Sequence, residues 1–327
     1  MHRCFVEPET GSGCRMSDAL WRWSERVTRR VWILGACLLL LCSAARQIYP
    51  QGAATNGTLI LFIPTEDGLV VAADSRSNIN LGNAIPGHCD TAIKIIPLKN
   101  HKRAVITVAG TDKSYPLNGN KLPDPCAYLQ SALPIFDMPR IVSDYLDAAS
   151  VEITKGVFDE LQAHVLRKIR AVQAKRPNTL VNGGDGNFAV VAFGHYIPEE
   201  KISQVATFTV RILKQGNAAI VESVWNAYHG STNWEVRAIG DGAGLLQQLI
   251  SDPSPGMLAG YLRDYAAYKN KVARVSDVPG DMGAKIAISL LDAAKILSQR
   301  LSTSPTVGGP TRIFLLDEEH PAPFPIQ

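Results

Sequence analysis

Apolar residues in this chain fall into two kinds of run, arranged in blocks. Short stretches dense in Val, Ile, Leu and Ala, bounded by Gly, Pro or Asn, occur at 58–63, 69–74, 92–97 and 103–109. Their length and β-branched content predict strands. Pro64-Thr65-Glu66-Asp67-Gly68 predicts a turn, so the first two runs read as a hairpin ending in Asp74-Ser75-Arg76. Residues 111–138, full of Pro, Asn and Gly, predict a long surface loop. The period then becomes helical over about 139–175, where Phe158, Leu161, Val165, Ile169 and Val172 share a face, and Pro177-Asn178 ends the pattern. A second block of strands is predicted at 188–193, 204–213, 218–224 and 234–239. Helical patterns return at about 241–251, 257–272 and 282–301, and a strand at 311–316 closes the chain. Strand blocks separated by helices predict an α+β protein with stacked antiparallel sheets covered by helices, and argue against an alternating βαβ fold.

The N-terminal segment follows a different pattern. Arg22, Arg26, Arg29 and Arg30 precede fifteen uncharged, mostly apolar residues, Val31 to Ala45, ending in Ser43-Ala44-Ala45. A basic region, a short apolar core and small residues at a cleavage position predict a secretory signal. A bilayer span needs about 20 apolar residues, which leaves a retained membrane anchor as the alternative for residues 1–45. Translation from Met16 instead of Met1 gives a more ordinary basic region. Leu34-Gly35-Ala36-Cys37 has lipobox character and Thr28-Arg29-Arg30 a trace of a twin-arginine signal. Residues 46–57 read as a polar linker or propeptide, and 58–327 as one domain. The expected location is periplasmic or extracellular, with membrane contact only through residues 31–45.

Charge narrows the function classes. The 327 residues carry a formal net charge of +3, and all of it lies before Thr58: residues 1–57 hold seven Arg and four acids. The rest is neutral, without the basic footprint that phosphate neutralisation requires, so nucleic acid is not an expected partner. Gly183-Gly184-Asp185-Gly186 lacks the Lys-Ser/Thr pair of a phosphate loop and reads as a turn. Cys89 and Cys126 are the cysteines of the body, both in turn-rich stretches; in an oxidising compartment they either pair or stand as two surface thiols. With His88, His101, His164, His195 and His229 scattered, no metal-ligand spacing is present, and no metal or cofactor is expected.

The residues that carry chemistry are Thr58, Asp74, Lys94 and Gly110. A threonine hydroxyl is a weak nucleophile at neutral pH and needs a base beside it. A free α-amino group on the same residue supplies one, with a reference pKa near 8. Lys94, nearby, favours the neutral amine, and Asp74 holds Lys94 as an ion pair. The Gly110 N–H is a candidate oxyanion donor, because glycine permits close approach to a carbonyl. Each residue also has a plain reading: a strand-opening Thr, Asp74 and Arg76 as a turn pair, Lys94 on an edge strand, Gly110 as a turn glycine.

In order and spacing, Gly57-Thr58, Asp67-Gly68 through Asp74-Ser75-Arg76, Thr91-Ala92-Ile93-Lys94-Ile95 and Val108-Ala109-Gly110-Thr111 resemble the proteasome β-subunit family of N-terminal nucleophile hydrolases. Ile239-Gly240-Asp241-Gly242 and Val307-Gly308-Gly309 resemble its later glycine-rich turns more loosely. The resemblance implies a four-layer αββα sandwich of two antiparallel sheets flanked by helices. It further implies self-cleavage of the Gly57–Thr58 bond, a threonine-type endopeptidase acting on a peptide or amide substrate, and a homo-oligomer. Arg76 and Asp241 are the supporting residues. Asp241 stands where the family has a serine, and Ser304 and Val307 stand where it has an aspartate and a serine. Those departures keep two other functions open, a non-catalytic assembly or binding module and a threonine amidase acting on a small amide. Asn56-Gly57-Thr58 is also a glycosylation sequon, whose plain reading is a flexible linker.

Overall fold

The computed structural model describes residues 52–56, 58–80, 87–116, 124–149, 152–176, 180, 187–213, 217–240, 243–244, 246, 265, 271–301 and 305–326. In chain order the first strands are β1 (Gly52–Asn56), β2 (Leu59–Thr65), β3 (Gly68–Asp74), β4 (Ser77–Asn80) and β5 (Gly87–Cys89). Next come β6 (Ile95–Pro97), β7 (Ala104–Gly110), β8 (Lys113–Pro116) and β9 (Phe136–Asp137). The later strands are β10 (Asn187–Ile197), β11 (Ile202–Ile212), β12 (Ala218–Tyr228), β13 (Arg237–Gly240), β14 (Thr311–Asp317) and β15 (Phe324–Ile326). Four helices are labelled α1 (Pro125–Ser131), α2 (Met138–Ala148), α3 (Lys155–Lys175) and α4 (Gly280–Leu301).

The β2–β3 hairpin is the spine of the domain, and every residue of both strands is buried. Alternation sends its side chains two ways. Leu59, Leu61, Ile63, Val70 and Ala72 pack with Ile286, Leu290 and Ala293 of α4. Ile60, Phe62, Leu69, Val71 and Ala73 share a cluster with Val105, Ala109, Ala192 and Val205 from a second sheet. The other face of that second sheet, through Ile106, Val191 and Phe193, packs with Val142 and Leu146 of α2 and with Phe158, Leu161, Val165 and Ile169 of α3. Each large apolar side chain so buried contributes roughly 1.5–3 kcal/mol, which makes the hairpin a firm support for whatever stands at its ends.

All strand pairings are antiparallel, in the orders β13-β2-β3-β14-β15, β12-β11-β10-β7-β6 and β5-β4-β1-β8-β9. The mixture of antiparallel sheets and helices agrees with the sequence reading. The third sheet is an addition to the two expected. Its strands are short and polar, without the alternation that marks a half-buried strand, and it takes in residues 52–56, which read as linker. The stretch read as one loop over 111–138 likewise contains β8, α1 and β9.

Other boundaries move for local reasons. The helical region 139–175 is two helices, because Asp137 caps α2 through the Arg140 N–H and Thr154 caps α3 through the Val157 N–H. The run 92–97 becomes strand only at Ile95, leaving Lys94 in a non-strand approach segment. The strand expected at 234–239 is Arg237–Gly240. The segment 1–45, most of the helical patterns at 241–251 and 257–272, and residues 183–186 lie outside the described residues. No helix among the described residues is long and apolar enough to cross a membrane.

Candidate active site

Asp74 ends β3 in the middle of its sheet, flanked by β2 and β14, and its carboxylate collects five donors. Oδ1 accepts from Thr58 Oγ1 at 2.9 Å, from the Leu59 N–H at 2.8 Å and from Lys94 Nζ at 3.0 Å. Oδ2 accepts from the Arg76 N–H at 3.2 Å and the Gly308 N–H at 3.0 Å. The hairpin register, Ile60 opposite Ala73, is what brings Thr58 and Leu59 to the carboxylate. A fully withdrawn carboxylate is tolerated because charge-assisted bonds replace its water.

Lys94 is equally enclosed. Its ammonium bonds Asp74 and the main-chain carbonyl of Arg76, and its side chain is 5% exposed. The plain reading of Lys94 as the wet side of an edge strand is therefore set aside. Thr58 itself is buried, with its hydroxyl committed to Asp74 and its carbonyl backed by Gly240. Gly240 has φ 101°, and a Cβ there would come 2.2 Å from the Thr58 carbonyl oxygen, so no side chain fits.

Arg76 supports the site with its backbone and turns its guanidinium elsewhere. Nε and Nη2 form a fork on Asp90 at 2.7 and 2.8 Å. The hydrogen bond to Asp90 holds the guanidinium above its ordinary pKa, against the opposing effect of burial, and the same bond holds the Asp90 carboxyl below its own. Ser75 Oγ donates to the Asp90 carbonyl at 2.8 Å, and the Ser75 and Arg76 N–H groups both reach the Gly308 carbonyl. Gly308 lies against the guanidinium, where a Cβ would come 2.4 Å from Arg76 Cζ.

Asp90 and Ser298 are participants that the sequence reading missed. Asp90 sits in a polar turn with no periodicity to mark it. Ser298, one hydroxyl on an amphipathic helix, accepts the Thr306 and Val307 N–H groups and so fixes the loop that presents Gly308 to Asp74. Val307 is a core residue packed in the α4 cluster and offers the site no side-chain hydrogen bond. Asp241 and Ser304 lie outside the described residues.

Gly110 closes β7 opposite Ala189, with φ 86° and no room for a Cβ, which would meet the Phe188 carbonyl oxygen at 2.8 Å. Among the described residues no hydrogen bond joins it to Thr58 or Asp74. Cys89 and Cys126 form a disulfide between β5 and α1. Among the described residues no group of three or more His, Cys, Asp or Glu side chains gathers as a metal site.

The fold and site together define a mixed α/β protein with a buried threonine–carboxylate–ammonium cluster at the mouth of a central hairpin. No family model matches the chain, and no curated protein does. Among solved structures that match is the Anbu complex of Pseudomonas aeruginosa, described as a helical assembly. It is 16% identical with a TM-score of 0.41, over 82% of this chain and 86% of that one. Another is Anbu (ancestral beta-subunit) of Yersinia bercovieri, 15% identical with a TM-score of 0.35 over the same shares. These matches correct the resemblance read over residues 57–111: the similar structures are Anbu chains, and the assignment to the proteasome β-subunit family is withdrawn. At those scores the likeness carries no argument about activity, which rests on the site's own geometry.

Proposed function

We propose that this protein is a threonine hydrolase that cleaves amide bonds in extended peptides, with Thr58 as nucleophile once the chain is cut after Gly57. The observation that carries the reading is the convergence of Thr58 Oγ1 and Lys94 Nζ on Asp74 Oδ1. A buried lysine has no packing value that an apolar residue lacks. Here its charge is set beside a hydroxyl that sits three covalent bonds (Oγ1–Cβ–Cα–N) from a potential N-terminal amine.

In the mature chain the Thr58 amine accepts the Oγ1 proton as Oγ1 attacks the substrate carbonyl. The amine returns that proton to the departing amine of the product, leaving an ester on Thr58. Water, deprotonated by the same amine, then attacks the ester and restores the hydroxyl. The Lys94 ammonium disfavours a second positive charge on the Thr58 amine and so favours its neutral form, the one able to accept a proton. Asp74 orients both partners. Gly110, Arg76 and Asp241 keep their expected roles as oxyanion donor and supports within this proposal.

The position of β1 favours a peptide over a small amide. Residues 52–56 lie as an antiparallel strand between β4 and β8, ending one residue before Gly57. A chain segment whose C-terminal end leads into Thr58 is laid out as the acyl side of a peptide substrate would be, by strand addition. The packing clusters on both faces of two sheets support a four-layer αββα stacking of the domain. The disulfide supports an exported protein, in keeping with the basic and apolar N-terminal pattern. Strand β12, eleven residues long and paired only with β11 among the described strands, supports self-association, which light scattering measures.

The test is a panel of extended peptides beside single-residue amides, assayed with the wild type and with Thr58→Ala. Hydrolysis that disappears in Thr58→Ala, with an acyl mass trapped on the peptide that begins at Thr58, is expected. Binding without turnover in both proteins would leave the chain a binding module, and turnover of small amides alone would make it an amidase.

A further inference from the structure

Strand β1 is the middle strand of its sheet, with β4 on one side and β8 on the other. Ala54 lies opposite Asn80 and Ser114, and Thr55 opposite Ile79 and Lys113. Once β1 departs, the inner edges of β4 and β8 face each other across a gap about 9–10 Å wide, twice the usual strand spacing. An incoming peptide strand bonds to both edges only if that width persists.

Among the described residues little packing maintains it. Ile79 of β4, Cys89 of β5 and Tyr115 of β8 are the buried members of a separate small cluster, joined by the half-buried Cys126 and Leu129 of α1. This cluster bridges the two walls of the gap. Three enclosed side chains make a meagre core, the situation in which small structures rely on a covalent staple. The Cys89–Cys126 bond lies inside the cluster. It ties β5, which pairs with β4, to the helix that follows β8 in the chain.

We propose that the Cys89–Cys126 disulfide is the clamp that keeps β4 and β8 one strand apart after β1 is released, and so positions the peptide substrate. This rests on the hydrolase reading above. The disulfide is a positioning element: neither cysteine bonds Thr58, Asp74 or Lys94. Its one route toward the chemistry runs through Asp90, next to Cys89, and that residue is separately pinned by the Arg76 fork and by Ser75.

The experiment uses the mature protein, oxidised, reduced and re-oxidised, beside the Cys89→Ala/Cys126→Ala variant, with the uncut full chain of each followed for the cutting step. Each is assayed with a peptide extended at least five residues before the scissile bond and with a single-residue amide. Loss of the bond is expected to raise KM for the long peptide about ten-fold with kcat within about two-fold, because ground-state positioning is what is lost. KM for the single-residue amide stays unchanged, since that substrate does not enter the gap. Cutting at Gly57–Thr58 stays at the wild-type rate, because the tethered β1 has a high effective concentration. Re-oxidation of the wild type restores KM, and the variant ignores redox state. An unchanged KM for the long peptide, a loss shared equally by both substrates, or a fall in kcat alone would overturn the clamp and leave the hydrolase reading standing. A fully oxidised wild type that neither cuts itself nor hydrolyses either substrate overturns both.

Discussion

Lys94 Nζ stands 3.0 Å from Asp74 Oδ1, with the two side chains 5% and 0% exposed. Twenty positions separate them in sequence, and the partnership exists because the segment leading into β6 brings Lys94 to the residue that ends β3. Desolvating both charges offsets most of their attraction, so such a pair is weak evidence for stability by itself. Within the proposed mechanism its place beside Thr58 gives it an electrostatic task.

Removing one partner is far more costly than the pair is stabilising. Asp74→Asn removes the carboxylate that holds the buried Lys94 ammonium and is expected to cost about 3–5 kcal/mol. Urea denaturation in a Thr58→Ala background, where chain cutting does not intervene, measures this directly. Lys94→Met in the same background, which deserts the carboxylate, is expected to cost a similar amount. A shift below about 1 kcal/mol in both would place the pair at a wet surface.

Gly308→Ala is expected to destabilise the protein by about 1–3 kcal/mol, the usual cost of overpacking. The added Cβ would lie 2.4 Å from Arg76 Cζ and 2.6 Å from Nε, so the guanidinium or the Gly308 loop must shift, straining the Asp90 fork. Peptide hydrolysis should fall with it. A neutral substitution, read as an unchanged urea midpoint, would contradict the described loop.

The Arg76–Asp90 fork has a defined pH window. Asp90 is held below its ordinary pKa by the hydrogen bond from Arg76, so its contribution is complete above the unfolded value near 3.9 and is lost as pH falls through the folded value. Asp90 is 36% exposed, and solvent screening limits the pair to under about 1 kcal/mol. Asp90→Asn is therefore expected to be less stable than wild type at pH 7, with a smaller difference at pH 3. Equal stability at both pH values would show that the fork contributes nothing.

His195 acts in a higher window. Burial lowers its pKa to about 4, below the ordinary value of 6.5. Between those values the unfolded chain binds a proton that the folded chain refuses, so stability falls as pH drops from 6.5 toward 4. The loss is up to about 3 kcal/mol. His195→Gln, which does not titrate, should flatten the stability profile over that range. Parallel profiles for the two proteins would mean that His195 is wet.

Much of the site was legible because its members belong to a strongly patterned hairpin. Leu59–Ile63 and Leu69–Ala73 are apolar on both faces, as strands enclosed on both sides must be, and they carry Thr58 and Asp74 at their ends. Lys94 stood out as a charge inside an apolar run. Asp90, Ser298 and the third sheet were hidden for the opposite reason. A polar turn, a single helix hydroxyl and strands of two to five residues have no period, and only tertiary closure gives them partners. Val307 shows the limit of motif matching, since its side chain serves the core while the neighbouring Gly308 N–H serves the site.

Whether the chain cuts itself is the most direct test of the account. Intact mass and N-terminal sequence of the purified full chain, beside Thr58→Ala, decide it. The account predicts a wild-type protein beginning at Thr58 and a variant that retains the residues before it. A wild type that keeps Gly57 in covalent attachment to Thr58, under conditions where the domain is folded, would contradict the proposed nucleophile.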